Sequence, residues 1–168
     1  MDEFDKRDGE KELPFDPARM AGDSHVVFIG RVHSPWLTRE DCPKNMNAAC
    51  ERGQGASIEI DPLYRAGLEG LDRYSHVAIL TWLDRAPRNI IVQRPRHALV
   101  SKGVFALRSP ARPNPVGMHI ARIVSCDAAA GRITLDAIDA LDETPVIDLK
   151  PYFASTDAIP EATGNRGE

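Results

Sequence analysis

No stretch of this 168-residue chain approaches the roughly 20 consecutive apolar residues that a membrane-spanning helix needs, so no helical span is predicted. The segment from Met1 to Met20 is charged and has no apolar signal core, so secretion is not expected. Three cysteines (Cys42, Cys50, Cys126) form no CxxC pair. Their odd number and irregular spacing argue against a disulfide framework and against a zinc site, and point to reduced thiols in a cytoplasm. The five histidines (His25, His33, His76, His97, His119) show neither HxxxH nor HxH spacing, so no metal is expected. The chain has no GxGxxG after a strand, no P-loop, no GxSxG and no Cys-His signature. These absences leave no sign of common nucleotide-binding folds or of nucleophile-based hydrolases. Acidic residues are missing from one long window. Between Arg85 and Arg122 there is no Asp or Glu, while eight Lys or Arg occur: Arg85, Arg88, Arg94, Arg96, Lys102, Arg108, Arg112 and Arg122.

The net charge of −4 hides that window. Outside it, 13 basic residues face all 25 acidic ones, a balance of −12. Local field rather than net charge steers a polyanion, so the window reads as an anion site within an acidic protein. The alternative is a solvated face whose arginines pair with acids elsewhere.

Short apolar runs separated by turn signals organise the rest. Strands are predicted over 25–32, 56–60, 76–83, 104–107, 117–125, 132–138 and 146–149. The run 76–83 reads as buried on both faces. Residues 62–71 read as a short, glycine-weakened helix, and 37–55 and 85–102 as loops. Asp127 to Gly131 reads as a hairpin connection. Many strands, little helix and no βαβ alternation predict a mostly β domain. A closed or nearly closed antiparallel β-barrel with one or two short helices would resolve the edges. Residues 1–24 read as a poorly ordered leader, 25–160 as the domain and 161–168 as a tail.

Two segments stand out chemically. Arg108-Ser109-Pro110-Ala111-Arg112-Pro113-Asn114-Pro115 places three prolines within six residues. They remove three backbone donors, fix three φ angles and extend the residues before them. The result is a stiff loop presenting two guanidinium groups and an amide. Arg108 and Arg112 suit a carboxylate or phosphate, and Asn114 suits a base or ribose edge. A purely structural proline-rich turn is the other reading. The second segment is Asp142 to Tyr152. If it is extended, Asp148, Lys150 and Tyr152 share one face. They can orient a polar ligand or move a proton, or they can form a salt-bridged edge-strand face.

These residues resemble a known family. Gly103 to Gly117 is similar to the GVFATRSxxRPNPIG signature of the TsaA-like (TrmO, YaeB-like) proteins, and Thr144 to Tyr152 resembles their GTPVxDIKPY signature. Ile29 to Pro35, Gly67 to His76 and Gln93 to Arg96 resemble further family segments in the same order. The resemblance implies a β-barrel methyltransferase dependent on S-adenosylmethionine. It implies a homodimer with the cofactor site close to the subunit contact. The implied substrate is tRNA carrying N6-threonylcarbamoyladenosine beside the anticodon, methylated on the exocyclic nitrogen. Carried over by position, Leu107, Arg108, Ser109, Arg112, Pro113, Asn114, Leu141, Thr144 and Pro145 would line the cofactor site. Arg94, Arg96, His97 and Lys102 would meet RNA. Asp148 or Asp142 would act as base or orienting acceptor, with Tyr152 and Lys150 assisting. Glu143 stands where the family usually has glycine. At a positive φ it would carry backbone strain of about 1 kcal/mol or more. Two rival readings are a non-catalytic RNA-binding barrel and a methyltransferase for a small anionic acceptor.

Overall fold

A computed structural model of the chain describes residues 8–16, 19, 25–95 and 99–164. Among the described residues nine strands form, in chain order: β1 (Lys11–Glu12), β2 (Gly30–His33), β3 (Ala56–Ile60), β4 (His76–Trp82), β5 (Ile90–Gln93), β6 (Lys102–Gly103), β7 (Val116–Asp127), β8 (Arg132–Leu135) and β9 (Pro145–Pro151). Two short helices, α1 (Met46–Arg52) and α2 (Ala154–Asp157), join them. Six strands close into an antiparallel barrel in the order β2-β3-β8-β7-β4-β9, and β9 returns to β2. The other three form a small sheet, β1-β5-β6.

Period-2 patterning fills the barrel. Val32, Ile58, Ile60, Val77, Ile79, Ala121, Ile133, Leu135 and Val146 are buried together. β4 alternates buried with half-buried residues, so it is not buried on both faces as its apolar run suggests. A barrel wall has one interior, and Ala78, Leu80 and Trp82 face outward. Closure demands a glycine at position 30, where a Cβ would overlap the Glu59 carbonyl oxygen.

Several expected elements differ. The first strand is confined to Gly30–His33, and Val26, Val27 and Phe28 are exposed before it. Residues 62–71 form two 3-10 helices, Pro62–Leu68 and Leu71–Arg73, broken at Gly70 with φ 82°. Residues 37–55 contain α1, capped by the Asn45 side chain accepting from the Ala48 N–H and closed by Gly53 at φ 61°. Ile90 to Gln93, read as loop, is a strand. Lys11 and Glu12, read as leader, pair with β5. The apolar run at 104–107 is no strand. Val104–Ala106 makes a 3-10 turn, and Val104 joins Ile90 and Ala111 in a second small core. A four-residue apolar run does not by itself distinguish strand from turn.

Candidate functional site

Strand β4 lies between β7 and β9, and its C-terminal end organises the site. Thr81 pairs with Gly117 on one side and with Val146 on the other. The proline-arginine loop enters β7 at Val116, and the Leu141–Thr144 turn enters β9 at Pro145. Both signature segments therefore reach the same rim of the barrel, two strand spacings apart, about 10 Å. A register shift between Leu80 and Thr81 marks the junction. The loop is anchored there by Leu83 N–H donating to the Pro115 carbonyl at 2.8 Å.

The turn after β4 holds both segments. Arg85 donates from Nη2 to the Asp142 carbonyl at 2.8 Å. Arg88 donates from Nε to the Pro113 carbonyl at 2.8 Å and from Nη2 to Asn114 Oδ1 at 3.4 Å. Its guanidinium lies 5.1 Å from the Trp82 ring centroid, a cation–π arrangement. Sequence reasoning counted Arg85 and Arg88 only as part of the basic window. Their guanidinium groups act as structural ties across the rim.

Arg112 does not present an open grip. Its guanidinium turns back into its own loop, donating to the carbonyls of Ser109 at 2.9 Å, Val104 at 2.7 Å and Leu107. Carbonyls that have no strand partner are satisfied this way. Arg108 is exposed and makes a longer contact, 3.4 Å, to the Met118 carbonyl. Asn114 is exposed, while Leu107, Ser109, Pro113 and Leu141 are half-buried and Thr144 and Pro145 are buried. Phe105, two residues before Leu107, and Met118, whose carbonyl Arg108 approaches, expose apolar side chains.

The second turn is built by hydrogen bonds. Thr144 Oγ1 donates to the Leu141 carbonyl at 2.7 Å, and Ser34 N–H donates to Asp142 Oδ1 at 3.0 Å. Glu143 N–H donates to the Val32 carbonyl, and Val32 N–H donates to the Thr144 carbonyl, each at 2.9 Å. Glu143 has φ 64°, the one positive φ outside glycine among the described residues. A non-glycine residue there costs on the order of 1 kcal/mol. Its carboxylate lies 3.4 Å from His33 Nδ1 and 3.8 Å from Arg31 Nε. Glu59 approaches His33 Nε2 at 3.2 Å. His33, Asp142 and Glu143 thus bring three potential metal-ligand atoms within 4.8 Å of one another, a donor set that linear spacing did not reveal. The Arg31 guanidinium and the His33 ring are the groups that these carboxylates face.

The remaining expected residues do not all meet at the rim. Asp148 and Lys150 share the outer face of β9 and form an ion pair at 3.0 Å. Tyr152 follows the far end of β9, where its N–H donates to the His76 carbonyl. That places it about 20 Å along the strand from Pro145. Within one chain, then, Tyr152 lies away from the rim, whereas Asp148 stands opposite Leu80, which pairs on its other side with Met118. Lys102 lies on the small sheet and Arg94 directly after its strand β5, and Arg96 and His97 fall outside the described residues.

Sequence reasoning missed a buried network beneath the rim. Thr81 Oγ1 lies 3.0 Å from His119 Nε2, and His119 Nδ1 lies 2.5 Å from Asp139 Oδ1. Thr81 is fully buried and His119 nearly so. With Nδ1–H committed to the carboxylate, Nε2 accepts from the Thr81 hydroxyl. The network ties β4 and β7 to the loop that leads into the second signature. Gly117 leaves room for it, since a Cβ there would collide with Thr81 Oγ1 and the His119 ring. Replacing Thr81 with valine keeps the shape but strands a buried ring nitrogen. Thermal or urea denaturation should show a loss of roughly 1–3 kcal/mol.

No cysteine joins the site. Burial, assisted by the Asp139 charge and opposed by Arg52, pushes the Cys42 thiol up to about 11. Burial, with Asp72 and Asp127, also raises Cys126. Both remain thiols at neutral pH, which makes them poor nucleophiles.

Comparison with known proteins gives this geometry a context. Residues 31–158, which include both signature segments and the whole rim, match the family model described as the tRNA-methyltransferase O N-terminal domain. The chain belongs to this family. It is 38% identical over 131 residues to a probable S-adenosyl-L-methionine-binding protein of Methanothermobacter thermautotrophicus, covering 78% of this chain and 91% of the relative. It is 37% identical over 145 residues to a putative S-adenosylmethionine-dependent methyltransferase, RcsF, of Pseudomonas aeruginosa, covering 82% and 60%. The crystal structure of TrmO from Pseudomonas aeruginosa superposes with a TM-score of 0.68 at 30% identity, covering 86% of this chain and 63% of that one. The chain thus spans about three-fifths of that TrmO structure. The closed six-stranded barrel is the fold of the TrmO family. No helix among the described residues is long and apolar enough to cross a membrane.

Proposed function

We propose that this protein transfers a methyl group from S-adenosylmethionine to the exocyclic nitrogen of N6-threonylcarbamoyladenosine, beside the anticodon of tRNA in a reducing cytoplasm. One observation carries the reading. The two segments that resemble the family's signatures, far apart in sequence, meet at one rim around Thr81. The family description and the relatives' names supply the chemical class.

The rim has groups suited to the cofactor. Arg108 presents an exposed cation for a carboxylate, Phe105 and Met118 present apolar surface for a purine, and Asn114 presents an amide that can pair with a polar edge. The half-buried Leu107 and Leu141 belong to the same two segments. When bound, S-adenosylmethionine supplies an electrophilic methyl on a sulfonium. The chain's task is then to position the acceptor nitrogen and to take its proton. Orientation alone contributes roughly 7–11 kcal/mol to reactions of this kind. The acceptor nitrogen is part of a urea-like group with a delocalised lone pair, so loss of its proton restores reactivity.

Of the two carboxylate candidates we favour Asp142. It lies on the rim turn, held by Ser34 N–H and with no ammonium against it among the described residues, whereas Asp148, in the same cross-strand row as Met118, is paired with Lys150. Arg112 sets the shape of the loop, and Arg108 meets an anionic group of cofactor or substrate. A second copy seated over the exposed Phe105, Val116 and Met118 would close the rim from outside.

Calorimetry with S-adenosylmethionine, followed by tritium incorporation into N6-threonylcarbamoyladenosine-containing tRNA, tests the reading. Saturable binding and label confined to that nucleoside are expected. Absence of cofactor binding removes the enzyme reading. Turnover on small anionic acceptors without RNA replaces the substrate.

A further inference from the structure

An acidic segment of the chain, ahead of the residues that the family model matches, lies on a basic surface. Residues 1–16 hold seven Asp or Glu against three Lys or Arg, and the family match begins only at residue 31. Lys11 and Glu12 form β1 and pair antiparallel with β5, opposite Val92 and Ile90. Leu13 N–H extends the pairing to the Asn89 carbonyl at 2.7 Å. β5 lies within the acid-free window, with Arg94 directly after it and Lys102 of β6 opposite Gln93.

The contacts imitate those of a nucleic-acid backbone. The nearly buried Glu10 carboxylate accepts from the Arg94 backbone N–H at 3.0 Å. Asp8 lies 3.9 Å from the Arg94 guanidinium. Backbone N–H groups and arginines are standard donors to phosphate oxygens. An anionic oxygen there is also what a phosphate would place. The adjoining cavity of about 330 Å³, lined by Leu13, Pro14, Phe15, Asp16, Arg88 and Asn89, reaches the arginine that holds Asn114 at the rim.

We propose that the surface around Arg94 and Lys102 is a docking surface for an RNA backbone, and that the acidic segment 8–16 occupies it in the free protein. RNA must displace this strap to reach the rim. The strap excludes weakly bound polyanions and yields only to a substrate with enough phosphate contacts. This inference rests on the reading of the chain as an RNA-modifying methyltransferase.

Two full-length variants test it with fluorescent poly-uridine as probe. Leu13→Pro removes the hydrogen bond to Asn89 without changing charge. Glu10→Gln weakens the strap while keeping an acceptor for the Arg94 N–H, and Glu161→Gln in the exposed C-terminal stretch removes the same charge elsewhere. Leu13→Pro and Glu10→Gln should bind poly-uridine several-fold tighter than the unmodified protein at low salt. The slope of log affinity against log salt should steepen by about one as RNA gains the Arg94 contact. Hydrogen exchange should quicken along β5 and not in the barrel.

Glu10→Gln no tighter than Glu161→Gln overturns the proposal. So does Leu13→Pro that keeps its barrel and binds no tighter than the unmodified protein. If Leu13→Pro fails to fold, the Glu10→Gln comparison decides. Methyl transfer to tRNA is read separately. Its absence, with the affinity difference intact, would sink the function and leave the docking surface standing.

Discussion

Arg112→Ala should weaken S-adenosylmethionine binding by about a hundredfold while the barrel melts close to its original temperature. The guanidinium donates to three carbonyls of one loop, those of Val104, Leu107 and Ser109. Prolines at 110, 113 and 115 stiffen the chain but supply no donors of their own. Without the arginine, the Leu107 and Ser109 carbonyls lose this donor, Val104 keeps only the Leu107 N–H, and the loop relaxes outward. If the loop must be reordered on binding without these bonds, at about 1 kcal/mol each, the affinity falls by about a hundredfold. Arg112→Lys should not rescue, because a single ammonium cannot reproduce a planar fork that serves several acceptors. The barrel is spared because Val104, Ile90 and Ala111 form their own small core. Calorimetry with the cofactor beside a thermal melt separates the two effects. Unchanged affinity, or a melt that falls together with the affinity, contradicts the bracing role.

Asp142→Asn should lower kcat for methyl transfer by about 10²–10⁴, the range for loss of a positioned acid–base group, with little change in KM for tRNA. Asparagine retains an oxygen to accept from Ser34 N–H, so the turn should keep its shape. Asp148→Asn should stay within a few-fold of the unmodified enzyme, because its partner is the exposed Lys150 on the outer wall. Single-turnover rates across pH make the comparison. If Asp148→Asn proves the damaging change, the outer face of β9 takes the place of the rim turn as the catalytic surface.

The strands that close the barrel were largely legible because each carries its own local signal. Ser57 and Glu59 alternate with Ile58 and Ile60 in β3, and β-branched residues crowd β4 and β7. What escaped had signals too, though competing ones were stronger. The Ile90-Ile91-Val92 run of β5 was masked by the arginines and prolines around it. Asn45 and Gly53 were available as caps for α1, but seven residues of modest helix propensity in a polar stretch gave little periodicity. β1 had no local signal, since a two-residue strand exists only through its partner.

By itself, the sequence determined the alternation that makes a barrel wall, the stiffness of the proline-arginine loop and the acid-free window, because each depends on neighbours along the chain. Only the tertiary structure decided which side chains share a site. Ring closure placed Thr81 between Gly117 and Val146, turned Arg112 inward, separated Tyr152 from the rim, and joined His119 to Asp139 and His33 to Glu143. Those outcomes depend on register and on hydrogen bonds that buried groups must find across the fold, and no local pattern encodes the partner at the other end.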